Sequence, residues 1–261
     1  MRPMTGDGLE TVRDDGWDSR ATLVGGRWID RTPRREEVAP RLRTEVRLLS
    51  WLAPRLPLAV PRPFVAGERP LVVRHVLVPG EPASELTAAQ GRELGAFLRA
   101  LHGSDAAEAV EHGAPAPAAV RRERAAELDR MRAAVLPLLP AASRAVGGAL
   151  LDAIAELPAA ALVHGDLGPE HVLVEAGRLS GVIDWSDAHV GDPAIDLAWA
   201  LHGATPAFAS ALAERYGADG ELRARALLWH RLGPWYEVLH GVETSSPETV
   251  ASGVDGVLAR L

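Results

Sequence analysis

Cysteine and lysine are both absent from these 261 residues. Without Cys, neither a disulfide framework nor a thiolate metal site can form. Without Lys, all 28 basic side chains are Arg, so any cationic grip on an anion falls to planar, always-charged guanidinium groups. No apolar run approaches the roughly 18 residues that span a membrane, and the opening Met1-Arg2-Pro3-Met4-Thr5 lacks the apolar core of a signal peptide. A soluble, cytoplasmic protein with no membrane partner is expected. No G-x-S-x-G elbow occurs, which removes the nucleophile of a Ser-His-Asp hydrolase. Positive charge is also in deficit: the net charge of −7 argues against broad nucleic-acid binding and only weakly suits a cationic substrate. There is no internal repeat, and the only biased stretch is the Ala/Pro run from Ala114 to Ala119.

What is present is concentrated in one place. Val163-His164-Gly165-Asp166-Leu167-Gly168-Pro169-Glu170-His171-Val172-Leu173 is followed by Gly181-Val182-Ile183-Asp184-Trp185. Two carboxylates and a metal-capable His thus stand at the ends of short apolar runs with a turn between them. Phosphoryl transfer needs that inventory: one Asp to orient a hydroxyl and take its proton, a second Asp and an Asn-like ligand to hold Mg²⁺ on the phosphates. The protein-kinase set H-R-D-x-x-x-x-N and D-F-G reads here as His164-Gly165-Asp166, four residues, His171, and Ile183-Asp184-Trp185. Either Asp alone is an ordinary turn or cap residue. The combination is not.

The next residues extend the pattern with Asp187 and Gly191-Asp192-Pro193-Ala194-Ile195-Asp196-Leu197-Ala198. Together the H-G-D loop, the I-D-W motif and G-D-P-x-x-D-L-A resemble the aminoglycoside phosphotransferase family, antibiotic kinases with a protein-kinase-like fold. The resemblance implies a bilobal α+β architecture: a β-rich nucleotide-binding lobe over residues 1–78, a hinge near 73–84 and a mainly helical catalytic lobe over 79–261. It implies ATP or GTP as phosphate donor, a small-molecule hydroxyl as acceptor, and a monomer as the working unit.

The residues support such a division. Ala21-Thr22-Leu23-Val24 and Arg27-Trp28-Ile29-Asp30 flank Gly25-Gly26, a hairpin signal. Val38, Leu42, Val46, Leu49 and Leu52 recur at a helical period over 36–52, and Pro54, Pro57, Pro61 and Pro63 impose an extended, loop-like connection after it. The β-branched run 71–78 predicts a strand stopped by Pro79-Gly80. Thr87 to His102 carries Leu94, Phe97, Leu98 and Leu101 on one face, with Gly103 as C-cap; His102 is read as a packing or hydrogen-bonded residue. Helices are expected near 120–136 and 141–156, short strands near 161–163, 172–174 and 179–183, and three or four helices thereafter.

By this resemblance Asp166 is the catalytic base, and His164 braces its loop without acting as the base. Asp184 is a metal ligand. His171 stands where protein kinases carry Asn; imidazole is softer than Mg²⁺ prefers, which opens Mn²⁺ as an alternative, but macrolide phosphotransferases also carry His there. Asp192 and Asp196 are expected to cap and tether backbone amides of the catalytic loop. Gly16-Trp17-Asp18-Ser19-Arg20 stands at the phosphate-covering loop, with Ser19 as a nucleotide contact, though it lacks repeated glycines. Ile29-Asp30-Arg31-Thr32-Pro33-Arg34-Arg35 resembles V-L-R-I-P-R-R of the antibiotic kinases, which makes Arg31 the stand-in for the nucleotide Lys and Glu45 its brace. The base is expected along Val73, His75 and Leu77. The acceptor pattern leans to the macrolide branch, with Asp187, Trp235, Tyr236 and Glu237 as candidate contacts and Trp199 and Trp229 as further wall residues. Aminoglycoside, tuberactinomycin and metabolic hydroxyl substrates stay open. So do a nucleotide-binding pseudokinase, suggested by the missing Lys, the Gly-poor loop and His171, and a metallohydrolase built on His164, Asp166, His171 and Asp184.

Overall fold

A computed structural model of the chain describes residues 11–13 and 19–261. In chain order the elements are β1 (Thr11–Arg13), β2 (Ser19–Val24), β3 (Trp28–Pro33), α1 (Ala39–Leu52), β4 (Phe64–Glu68), β5 (Leu71–Val76) and β6 (Glu81–Pro82). Next come α2 (Ala88–His102), α3 (Ala106–Glu111), α4 (Pro117–Ala134), α5 (Ala141–Ala155), β7 (Ala161–Val163), β8 (Val172–Glu175), β9 (Arg178–Val182) and β10 (His189–Gly191). Four helices finish the chain: α6 (Ala194–His202), α7 (Pro206–Tyr216), α8 (Gly220–Glu243) and α9 (Pro247–Arg260). The described residues form two compact units. One joins the residues up to Ser84 to Glu111–Ala114 and Pro169–Asp187; the other comprises Glu85–Val110, Pro115–Gly168 and Ala188–Leu261. The fold is α+β, of the kinase-like bilobal class.

The first unit is built on an antiparallel sheet of order β1-β2-β3-β5-β4. Its central hairpin turns at Gly25 and Gly26, whose φ values of +58° and +65° lie in the left-handed region that a primed turn demands and glycine supplies. Strand alternation puts Leu71 and Val73 on one face of β5, where they form a buried cluster with Val38 and with Leu42 of α1. Arg31 pairs with Val73 across β3 and β5, so it shares that face and points to the side where α1 lies. Two features depart from expectation. Phe64–Glu68, read as part of an extended connection, is a strand, with a register shift between Val65 and Gly67 that breaks the two-residue period. The run 71–78 ends as a strand at Val76.

In the second unit, Leu94, Phe97, Leu98 and Leu101 of α2 are all fully buried, as the 3.6-residue period requires of a core-facing stripe. Thr87 closes a capping box with Gln90 at the helix start. The glycines of α2 set how closely α7 approaches: a Cβ on Gly91 would lie 2.5 Å from the Phe208 carbonyl oxygen, and one on Gly95 would lie 2.7 Å from that of Leu212. α4 begins at Pro117, inside the expected Ala/Pro loop, with the ring in the first turn, where no amide donor is needed. Helix α8 runs through Pro234. Proline cannot donate to the carbonyl four residues back, and Arg260 Nη1 donates to that His230 carbonyl at 2.9 Å instead. Among the described residues, no helix is long and apolar enough to cross a membrane.

Candidate active site

In the first unit the expected nucleotide residues converge. Arg31 Nη1 donates to both oxygens of Glu45, at 2.8 and 2.7 Å, and Nε donates to Ser19 Oγ at 3.1 Å. Arg31 Nη2 lies 3.8 Å from Asp184 Oδ1. Glu45 is 3% exposed. Burial pushes its carboxyl up from the ordinary range; Arg31 opposes that shift, and the charges of Asp184 and Asp187 add to it. The Arg31 fork is thus divided, with one amino group and Nε committed to the protein and the other turned toward Asp184. Gly16, Trp17 and Asp18 of the expected phosphate-covering loop lie outside the described residues.

The β8–β9 hairpin brings His171 and Asp184 together. Val172 pairs with Val182, and the Ile183 amide donates to the His171 carbonyl at 3.0 Å. The side chains end 3.9 Å apart, His171 Nε2 to Asp184 Oδ2. Asp184 holds φ at +60°, a left-handed conformation that costs a non-glycine residue roughly 1–3 kcal/mol and survives only where its surroundings enforce it. Those surroundings are visible: Ser186 Oγ donates to Asp184 Oδ1 at 2.7 Å, and the neighbouring Trp185, 2% exposed, ties its indole N–H to the Val182 carbonyl at 3.1 Å. Among the described residues, no three His, Asp or Glu side chains gather as a metal cage. One carboxylate and one imidazole could supply two ligands to a divalent cation; the carboxylate suits Mg²⁺, and the imidazole is better matched to Mn²⁺.

In the second unit the H-G-D loop hangs on Asp196. This carboxylate, fully buried, accepts the His164 amide at 2.7 Å on Oδ2 and the Gly165 amide at 2.9 Å on Oδ1. Gly165 needs φ of +90° to present its amide there, which only glycine adopts without strain. His102 Nε2 lies 3.0 Å from Asp196 Oδ2, and its Nδ1 lies 2.9 Å from the Tyr216 hydroxyl. Burial opposes the charge on Asp196, but the hydrogen bond and charge of His102, with His164, hold its carboxyl below the ordinary range. The Asp166 amide donates to His164 Nδ1 at 3.4 Å, so the buried ring of His164 sits against the backbone of the loop. The Asp166 side chain is exposed.

Several expected contacts take other roles. Asp192 does not reach the catalytic loop: its oxygens accept the Ala194 amide, Arg225 Nε and the Trp229 indole, at 3.1, 3.3 and 3.1 Å, anchoring the start of α6 to α8. Val73 is 1% exposed, and its backbone pairs with both Arg31 and Val65, so neither side chain nor ladder is open to a base. His75 is buried and donates from Nδ1 to the Val76 carbonyl at 2.9 Å; burial first, then Arg31, keeps its pKa low against the pull of that carbonyl. The exposed part of this segment begins at Val76 and Leu77. Trp235, expected in a substrate wall, is fully buried and would meet a Cβ on Gly147 at 3.0 Å, beside Leu136 and Leu139; it belongs to the core. Trp229 is likewise buried, and Trp199 lies 5.9 Å from the Phe208 ring. Asp187, Tyr236 and Glu237 remain exposed. Ser186 and Tyr216 were not anticipated. The Ser stands inside the motif and was open to notice, whereas nothing local marks Tyr216.

Known proteins resemble this chain in sequence and in fold. The profile described as "Phosphotransferase enzyme family" matches residues 10–234. Viomycin phosphotransferase of Streptomyces vinaceus is 36% identical over 135 residues, 46% of this chain and 46% of that protein. The chain spans between 46% and 62% of the length of the curated relatives it matches. Among solved structures, the GDP and kanamycin complex of APH(2")-IIIa superposes with a TM-score of 0.84 at 21% identity, covering 96% of this chain and 92% of that one. The macrolide 2'-phosphotransferase MphH of Brachybacterium faecium superposes with a TM-score of 0.75 at 28% identity, covering 95% and 91%.

Proposed function

The chain belongs to the phosphotransferase enzyme family, and from that premise we propose that it transfers the γ-phosphate of ATP or GTP to a hydroxyl of an antibiotic, with a macrolide-like acceptor favoured. The observation that carries the reading is the divided fork of Arg31, with Nη1 clamped by both oxygens of buried Glu45 and Nη2 turned toward Asp184. A cation braced by a buried carboxylate beside a second, exposed carboxylate is the arrangement that meets nucleotide phosphates in kinases. With no Lys in the chain, an Arg takes that place.

Asp166 is the base. Its exposed carboxylate aligns the acceptor hydroxyl and accepts its proton late, as charge leaves the oxygen. Asp196 and the Gly165 turn hold the loop that presents it. Arg31 grips the phosphates, Ser19 orients the Arg31 side chain, and Leu77, exposed just past β5, is the remaining candidate contact for the nucleobase. Asp184 and His171 would hold Mg²⁺ or Mn²⁺, which when bound neutralises charge on the phosphates.

Macrolide preference is supported by the His171 loop, the Arg31 segment and the 28% identity to MphH over 95% of the chain. A second reading, a viomycin-type cyclic peptide acceptor, is supported by the 36% identity to viomycin phosphotransferase. Burial of Trp235 and Trp229 also removes two aromatic rings from an apolar wall, leaving Tyr236 and Glu237 exposed. Measuring ATP and GTP consumption by the purified chain against erythromycin, viomycin, kanamycin and simple amino alcohols tests both. Consumption stimulated by a macrolide, abolished in Asp166→Ala, is the expected result. Stimulation by viomycin alone selects the second reading, and stimulation by amino alcohols alone overturns both.

A further inference from the structure

We propose that Tyr216, at the end of α7, is a positioning residue for the catalytic loop, acting through His102 and Asp196. The connection is continuous. The Tyr216 hydroxyl lies 2.9 Å from His102 Nδ1, His102 Nε2 lies 3.0 Å from Asp196 Oδ2, and Asp196 receives the amides of His164 and Gly165 at 2.7 and 2.9 Å. Asp166 is the next residue. The two inner members are inaccessible enough that water is a poor substitute: the His102 side chain is 5% exposed and that of Asp196 is 0%, while Tyr216 is half-buried.

The sequence prepares this contact on one face of α2. Gly91, Gly95 and His102 are spaced by four and seven residues, which stacks them on one helical stripe. The missing Cβ atoms of the glycines let α7 come within a distance that any side chain would block, since a Cβ on Gly95 would also lie 3.3 Å from the Tyr216 amide nitrogen. The close approach sets the phenol edge-to-face on the imidazole, with centroids 5.5 Å apart at 71°. Burial, with the charges of Asp196 and Asp192, pushes the Tyr216 hydroxyl up to about 12, so the phenol keeps its proton beside His102 Nδ1. That contact on Nδ1 holds the imidazole with Nε2 against the Asp196 carboxylate. Losing it frees the ring to turn away from the carboxylate, and the acceptor of the two loop amides loses its brace.

The inference rests on Asp166 as base only for its effect on turnover; its structural half stands alone. Tyr216→Phe in the full chain removes one oxygen and keeps the ring stacked. The test compares hydrogen exchange at the His164 and Gly165 amides with that at Leu98 of the α2 core, and steady-state phosphate release from ATP and from GTP with water as acceptor. Tyr216→Phe should speed exchange of the two loop amides by about tenfold, the loss of one hydrogen bond of about 1.4 kcal/mol, and leave Leu98 unchanged. Phosphate release should fall by a similar factor in kcat, with the nucleotide KM unaltered. His102→Ala should show the same defects, and the double variant should be no worse than His102→Ala, because the two act in series. Wild-type exchange at both loop amides in Tyr216→Phe, or additive losses in the double variant, overturns the proposal. Phosphate release that survives Asp166→Ala overturns the base assignment alone, and the exchange result still decides the role of Tyr216.

Discussion

Replacing Arg31 by Ala should destabilise the protein as well as slow it, and the size of the effect should depend on pH. Glu45 is 3% exposed and takes two hydrogen bonds of 2.8 and 2.7 Å from one guanidinium nitrogen. Removing that partner leaves an uncompensated buried carboxylate, a change that costs roughly 3–5 kcal/mol. Arg31 is itself 12% exposed, so some water enters in its place, and about 3 kcal/mol is the better figure. For a domain of this size that lowers Tm by roughly 6–12 °C. Burial already raises the Glu45 carboxyl above its ordinary 4.5, while Arg31 is the chief group lowering it, so the variant raises it further. A carboxyl whose folded pKa lies above its unfolded value is tolerated in acid as the neutral form. The penalty grows as pH rises from the unfolded value through the folded one. The Tm difference between wild type and Arg31→Ala should therefore be small near pH 5 and large near pH 8. Adding Glu45→Gln to Arg31→Ala should restore most of the lost Tm at pH 8 without restoring turnover, since the charge is gone but the phosphate grip is not rebuilt. Differential scanning calorimetry of wild type and the two variants at the two pH values decides it. An equal loss of Tm at both pH values, or no recovery with Glu45→Gln, refutes the assignment of the cost to a stranded buried charge.

Arg31→Lys should retain part of the turnover that Arg31→Ala loses, read as kcat/KM for the nucleotide, because the ammonium keeps the charge but not the fork. Asp166→Ala should abolish transfer while calorimetric nucleotide affinity stays within about threefold of wild type, whereas Asp184→Gly should lose metal-dependent affinity yet keep or gain Tm, since glycine relieves the +60° φ at that position. Gly95→Val should lower Tm strongly, as its Cβ would fall 2.7 Å from the Leu212 carbonyl oxygen, and repacking two helices costs typically 1–3 kcal/mol or more. Arg260→Ala should lower Tm by about 2–4 °C, the cost of leaving the His230 carbonyl above Pro234 without its donor. Thermal melts check both of the last two.

The parts of this protein that were legible in the sequence are those governed by short-range geometry. The Gly25-Gly26 hairpin follows from glycine's access to positive φ, and the buried stripe of α2 from the spacing of Leu94, Phe97, Leu98 and Leu101. The H-G-D and I-D-W motifs stand on strand ends because apolar runs of that length flank them, and Arg31 and Glu45 pair because a β3 residue on the inner face meets the helix that covers it. What the spacing left undecided depends on partners far along the chain. Tyr216 meets His102 across 114 residues, and Asp192 chose Trp229 and Arg225 over the catalytic loop, across 37 and 33. Trp235 and Tyr236 are neighbours on α8, yet one is fully buried and the other 40% exposed. Composition and period suit a large aromatic equally to a core and to a binding wall, and only the packing of α8 against Gly147 and its neighbours assigns each ring its surroundings. The motifs proposed to carry the chemistry were thus written locally, while the anchoring of their loops and the exposure of the aromatic side chains on α8 were decided by which helices close on one another.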